Sequence, residues 1–191
     1  LADADTGFGE AELVRRTVVE YGRAGAAGLH IEDQKFPKRC GHLDGKELVS
    51  VDHMCEKIEW AARAARESCE AAGRQGSKSE SSMSGGLVIC ARTDARGVEG
   101  FDAAVERARA YAAAGAEMIF PEGLASEAEF ERFAGEMRGH RSESGATSRR
   151  AAPWLLANMT EFGKTPMIPL SRFDAMGYSM VIYPVSLLRA A

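Results

Sequence analysis

Short apolar runs rich in strand formers recur along the chain, and longer stretches with apolar residues at helical spacing separate them. Residues 1–5, 28–33, 87–93, 118–122, 154–159 and 180–184 read as strands. Leu13, Val14, Thr17, Val18 and Tyr21 follow helical spacing, as do Met54, Ile58, Ala61, Ala62 and Ala65. Two further helices are marked by Phe101, Val105, Ala108 and Ala112, and by Phe130, Phe133, Ala134 and Met137. Gly25 and Gly115 stand where helices should stop. Ser126 with Glu129 makes a capping box at the start of the last of them.

Strand–helix alternation of this kind predicts a parallel sheet with helices outside it. Two architectures compete, a doubly wound open sheet and a (β/α)8 barrel. Nearly every strand ends in polar, reactive residues: Asp3 and Asp5, Glu32 and Asp33, Arg92 and Asp94, Glu122, Asn158 and Thr160. Polar groups converging from many strand ends describe the catalytic face of a barrel. An open sheet gathers its ligand at one switch point instead. Neither a G-x-G-x-x-G turn after a strand nor a G-x-x-x-x-G-K-[ST] loop is present. Residues 73–86 and 138–152 are Ser/Gly/Arg-rich and lack periodicity, so they read as flexible insertions within a single domain over 1–191. Both join a helix to the next strand, and in a barrel such connections lie opposite the active face.

Composition adds exclusions. The 191 residues (20.5 kDa) are 45% hydrophobic and 27% charged, an ordinary globular balance. Lys+Arg 24 against Asp+Glu 28 gives 24 − 28 = −4, so no basic field is on offer to nucleic acid. No run is apolar for long enough to span a bilayer. The first residues hold no Met, no basic region and no signal-peptide core, and the chain reads as opening inside a structural element. Cys40, Cys55, Cys69 and Cys90 form no C-x-x-C and read as reduced intracellular thiols, the last three as small core residues.

Four stretches carry chemistry. Asp3 and Asp5 in DADTGFG are two apart, so on a strand they project together. Adjacent carboxylates call for a cation or a shared proton, and oxygen-only ligands suit Mg²⁺ or Mn²⁺. A solvated loop that caps a helix fits the pair equally. Glu32 could add a third acid, or be plain polarity after a strand. In KRCGH, at 38–42, the Cys40 thiol is flanked by Lys38 and Arg39, with His42 two residues on. Such surroundings make Cys40 a candidate acid/base or nucleophile, against the plainer reading of an exposed basic turn. Arg92 suits capture of a carboxylate or phosphate, and Arg189 could add a second clamp. With Glu122, Asn158 and Thr160 these residues outline a pocket with an acidic, metal-binding end and basic anion-binding groups. His30, Trp60 and Trp154 read as packing residues.

Together the stretches DADTGFG, IEDQ, PKRCGH, ARTDA, FPE, NMTEFGKTP and YP with Arg189 resemble the isocitrate lyase/phosphoenolpyruvate mutase superfamily, most closely its 2-methylisocitrate lyase branch. The resemblance implies a (β/α)8 barrel in which this chain supplies the third to eighth strands, hence an incomplete barrel. It implies cleavage of 2-methylisocitrate to pyruvate and succinate, within propionate metabolism. Isocitrate cleavage to glyoxylate, a phosphonomutase-type reaction, or an inactive truncated paralogue are the alternatives. Asp3, Asp5 and Glu32 would hold Mg²⁺ (or Mn²⁺). Cys40 would be the proton donor, tuned by Lys38 and His42. Cys40, Gly41, Arg92, Glu122, Asn158, Thr160 and Arg189 would contact a small di- or tricarboxylate. The resemblance further implies a homotetramer in the cytoplasm or mitochondrial matrix, with no nucleic-acid or membrane partner.

Overall fold

All six expected strands form. They are β1 (Ala2–Asp3), β2 (Gly28–Glu32), β3 (Val88–Thr93), β4 (Met118–Pro121), β5 (Trp154–Asn158) and β6 (Met180–Ile182). The structure, a computed structural model, describes residues 1–40, 45–74, 86–139, 152–160, 165–184 and 186–190. Every pairing is parallel and the sheet order is β1-β2-β3-β4-β5-β6. A doubly wound sheet reverses direction at a switch point, whereas this order never reverses. The sheet is a curled, incomplete (β/α)8 barrel, as the strand ends predict.

The helices are α1 (Ala11–Arg23), α2 (Val51–Arg74), α3 (Ala95–Val98), α4 (Phe101–Ala113), α5 (Glu127–Gly139), α6 (Leu170–Met176) and α7 (Ser186–Ala190). The strands stop up to two residues sooner than their apolar runs. α2 and α5 take backbone that composition assigned to the insertions, residues 73–74 and 138–139. The remainder of both insertions, 75–85 and 140–151, lies outside the described residues. Helix α3 and the short α6 and α7 have too few turns to show a period. Gly25 and Gly115 follow the C-caps Ala24 and Ala114 at φ +87° and +114°. The capping box forms by half. Ser126 Oγ accepts the Glu129 N–H at 3.2 Å, but the Glu129 carboxylate takes the Ala125 N–H and Arg96 instead.

Because strand side chains alternate, the sheet has two cores. Ala4, Leu29, Ile31, Ile89, Ala91, Ile119, Leu155 and Ala157 join the helix faces. Met54, Ile58, Phe130, Phe133 and Tyr111 meet them there, all buried. The opposite parity builds a second, smaller cluster inside the curl: Cys90, Met118, Phe120 and Leu156, with Val88, Trp154, Met180 and Ile182. Cys90 is core as expected, but Cys55 and Cys69 are only half-buried. Leu13, predicted on the inner helix face, is exposed and instead covers Gly9. Two residues past the inner cluster, Cys90 gives way to Arg92, Phe120 to Glu122 and Leu156 to Asn158, so at the C-terminal mouth the parity that carried apolar side chains carries charged and polar ones.

Candidate active site

Strand β1 ends early, and the chain turns sharply at its end. Asp5 adopts φ +49° and donates its N–H to Asp3 Oδ1 at 2.9 Å, a local bond that makes the left-handed region tolerable for aspartate. Gly7 follows at φ +93°, where a Cβ would sit 2.6 Å from Val14 Cγ2, so no larger residue fits. The turn is fastened from outside by Thr17 Oγ1 donating to Gly7 O (3.1 Å) and Lys57 Nζ donating to Thr6 O (3.1 Å). From the sheet, Glu32 N–H donates to Asp5 O at 2.8 Å. Asp3 and Asp5 therefore come together through a turn rather than through strand alternation.

The three acids expected to bind metal surround one ammonium. Lys38 Nζ is 2.6 Å from Asp5 Oδ1 and 3.7 Å from Glu32 Oε2. Burial works against its charge, but Asp5, Glu32 and Asp3 outweigh that and raise its pKa above the ordinary lysine value. Asp3 Oδ1 lies 3.1 Å from His30 Nε2, and the imidazole beside it holds the Asp3 carboxyl well below the usual range. His30 thus belongs to the mouth as well as to the packing, edge-on to Phe120 at 5.6 Å. Its parity with Glu32, two residues apart on β2, is the signal that could have found it.

Glu32 is 1% exposed, and neither of its carboxylate oxygens has a hydrogen-bond partner among the described residues. Burial pushes its carboxyl up to about 7, with Arg92 and Lys38 pulling the other way. Arg92 Nε is 3.4 Å from Glu32 Oε2, while Nε and Nη2 fork onto Asp94 at 3.0 and 3.3 Å. The bidentate edge predicted to capture an anion is thus occupied by Asp94, and Nη1, 3.7 Å from Glu122, is the side turned toward the mouth. The guanidinium rests 5.1 Å over the Phe120 ring. Despite its burial, Asp94 stays below the usual carboxylate range because Arg92 and Lys46 (Nζ–Oδ1 3.0 Å) face it. Lys46 was missed because nothing in its local sequence marks it.

Glu122 Oε2 accepts from Asn158 Nδ2 (3.1 Å), and Asn158 Oδ1 accepts from Thr160 Oγ1 (3.0 Å). One polar chain therefore runs Arg92–Glu122–Asn158–Thr160 across β3, β4 and β5. Cys40 is exposed beside Arg39. Arg189 stands exposed on α7, beyond the end of β6. Gly41 and His42 lie outside the described residues.

The donor set suits a hard divalent cation: oxygens only, with an orphaned buried carboxylate at its centre. Among the described residues, no group of three His, Cys, Asp or Glu is already drawn together to hold one. The Lys38 ammonium stands where the charges of Asp5 and Glu32 are balanced.

The family described as phosphoenolpyruvate phosphomutase matches the chain over residues 1–191. A probable 2-methylisocitrate lyase 2 of Corynebacterium glutamicum is 50% identical over 194 residues, covering 100% of this chain and 52% of that protein. The 2-methylisocitrate lyase of Aeropyrum pernix is 49% identical, over 100% of the chain and 51% of its own length. A crystal structure of 2,3-dimethylmalate lyase, described as a PEP mutase/isocitrate lyase superfamily member, superposes with a TM-score of 0.76 at 36% identity, covering 99% of this chain and 54% of its own. The chain spans about half the length of the curated relatives it matches. No described helix is long and apolar enough to cross a membrane.

Proposed function

The chain belongs to the phosphoenolpyruvate mutase/isocitrate lyase superfamily, and from that we propose that it carries out Mg²⁺-dependent cleavage of 2-methylisocitrate to pyruvate and succinate. The observation that carries the proposal is Glu32, buried among Lys38 and Arg92 with neither oxygen hydrogen-bonded among the described residues. The described residues do not satisfy that group, and leaving a carboxylate so placed is expensive. A cation with its own water or substrate ligands would satisfy it.

Asp3, Asp5 and Glu32 would hold Mg²⁺ or Mn²⁺. When bound, the ion supplies electrostatic stabilisation of negative charge on the substrate's hydroxyl oxygen. Arg92 Nη1, Glu122, Asn158, Thr160 and Arg189 would position the carboxylates of the small tricarboxylate. In cleavage the hydroxyl proton passes to solvent, the O–H electron pair becomes the second bond of the pyruvate ketone, and the carbon–carbon pair passes into the succinate fragment as an enediolate. The Cys40 thiol gives its proton to that carbon and is re-protonated from solvent. In the reverse direction the thiolate removes it. Lys38 stands next to Arg39 in the same loop and anchors it to the acidic end; His42 and Gly41 are assigned by resemblance alone. A homotetramer without nucleic-acid or membrane partners completes the proposal.

The test is product analysis of the full chain with Mg²⁺ and 2-methylisocitrate, expected to release equal pyruvate and succinate and to lose the reaction on Cys40→Ser. No pyruvate sinks the proposal. Glyoxylate from isocitrate, without turnover of the methylated substrate, would assign isocitrate cleavage. The matching family's phosphomutase description raises a phosphonate-handling mutase, which predicts phosphonate turnover and little cost on Cys40→Ser.

A further inference from the structure

Of the IEDQ stretch, Glu32 is absorbed by the proposed metal end and Asp33 by buried hydrogen bonds from Thr93, Tyr111 and the Asp94 N–H. Gln34 is left over, and it is 2% exposed although the next three residues, Lys35, Phe36 and Pro37, are all exposed. A buried carboxamide has two donors and an acceptor to satisfy. Gln34 spends the acceptor and one of the donors on a single residue: Oε1 accepts the Arg39 N–H at 2.9 Å, and Nε2 donates to Arg39 O at 2.9 Å. The side chain acts as a surrogate peptide unit, pairing with one residue's N–H and C=O as a strand neighbour would. Its own backbone is fixed, because Gln34 pairs antiparallel with Leu48 while Lys35 N–H reaches Glu47 O (2.8 Å) and Val49 N–H reaches Asp33 O (2.9 Å). Beyond Lys35 the anchoring passes from backbone ladder to the Gln34 side chain.

Arg39 is the residue between Lys38 and Cys40. Fixing both polar groups of Arg39 sets the two peptide planes from which those side chains depart. The direction on one side is visible: Lys38 Nζ reaches Asp5 and Glu32. We infer that Gln34 is a positioning residue, whose amide clamps Arg39 and thereby aims Lys38 into the acidic end and Cys40 at the substrate carbon. The inference rests on the proposed lyase reading for its consequence, but not for its geometry.

Two variants of the full chain test it. Gln34→Met removes both bonds at nearly constant volume. Gln34→Glu keeps the acceptor for the Arg39 N–H, loses the donor, and sets a carboxylate against the Arg39 carbonyl. Amide hydrogen exchange at Arg39 should quicken at least about fivefold in Gln34→Met, and less in Gln34→Glu, while β2 and β3 amides stay as they were. In both variants kcat for pyruvate release should fall on the order of 10–100-fold, the cost of a misplaced reacting group, with KM within about threefold. Unchanged Arg39 exchange overturns the clamp. Faster exchange with kcat kept, or kcat lost only in proportion to folded protein, overturns the positioning role. If Gln34→Met does not fold, Gln34→Glu decides alone by the same criteria. If the unmodified protein releases no pyruvate, the lyase reading fails while the exchange measurement still judges the clamp, so the two failures are distinct.

Discussion

Glu32 and Asp33 are consecutive carboxylates at the end of β2, 1% and 0% exposed, and their surroundings are opposite. Asp33 turns toward the helices and is fully engaged. Its Oδ2 accepts from Thr93 Oγ1 (2.7 Å) and Tyr111 OH (2.9 Å), its Oδ1 accepts from Asp94 N–H (2.9 Å), and Arg107 Nη1 stands 3.6 Å away. Glu32 turns into the curl and has ion pairs at 3.4 and 3.7 Å but no hydrogen bond among the described residues. Burial pushes both carboxyls up; at Asp33 the hydrogen bonds and Arg107 oppose it, at Glu32 only the charges of Arg92 and Lys38 do. The same strand end thus holds one acid that folding satisfies and one that it leaves without hydrogen bonds among the described residues, separated by the one-residue parity of a strand. A buried polar group that folding completes is structural, and one that folding leaves incomplete calls for a partner, which the proposed cation would supply.

The largest effect that would break this comparison is loss of the scaffold acid. Asp33→Ala leaves Thr93, Tyr111, Arg107 and the Asp94 N–H facing an acceptor that is gone. Removing one partner from a buried charged network costs about 3–5 kcal/mol. The urea midpoint of the full chain should fall accordingly, and Asp33→Asn should fall less. A variant as stable as the parent would show that the four contacts are dispensable.

The same truncation of charge next door should act on chemistry instead. Glu32→Gln is expected to reduce pyruvate release by about 10–100-fold or more, with stability unchanged or raised by about 1 kcal/mol, because an unbonded buried charge disappears. If the urea midpoint drops as it does for Asp33→Ala, the distinction between the two acids is wrong. Metal linkage sharpens the point. Mg²⁺ at ten times its Kd should stabilise the unmodified protein by about 1.4 kcal/mol, and that shift should shrink or vanish in Glu32→Gln. An equal Mg²⁺ shift in both would remove Glu32 from the metal end.

How much of this the sequence discloses depends on how far apart the partners lie. Strands, their parity and the mouth residues are local in sequence, so Glu32, Arg92, Glu122 and Asn158 could be placed by alternation and strand ends alone. The Asp3–Asp5 pair was located for a reason that the structure replaces: β1 stops at Asp3, and a left-handed Asp5 brings the second acid round. Alternation places Arg92 at the mouth but does not disclose that Asp94, two residues on, turns back to chelate its bidentate edge. What no local pattern could disclose are the long-range fasteners. Asp33 meets Tyr111 across 78 positions, Lys46 meets Asp94 across 48, and Lys57 meets Thr6 across 51. Each is a polar residue on an element whose helical or loop spacing predicts nothing about what it will touch.

The finest cut through the comparison is Tyr111→Phe, which removes one oxygen from the scaffold side and leaves its volume in place. Tyr111 is fully buried on α4. Its hydroxyl donates to Asp33 Oδ2 at 2.9 Å and accepts from Arg107 Nη1 at 3.0 Å. Neither neighbour is orphaned by the change. Asp33 Oδ2 keeps Thr93, while Arg107 keeps Val49 O at 3.0 Å and its two bonds of 2.7 Å to Glu99. The loss should therefore be that of an ordinary hydrogen bond, about 1 kcal/mol, well short of Asp33→Ala. KM and kcat should stay put, since nothing facing the mouth moves. A loss near 3 kcal/mol would mean that Tyr111, not Asp33, is the centre of the scaffold. A change in kcat at constant stability would mean that the two faces of the sheet are coupled, and that the boundary between Glu32 and Asp33 is not the division between binding and folding.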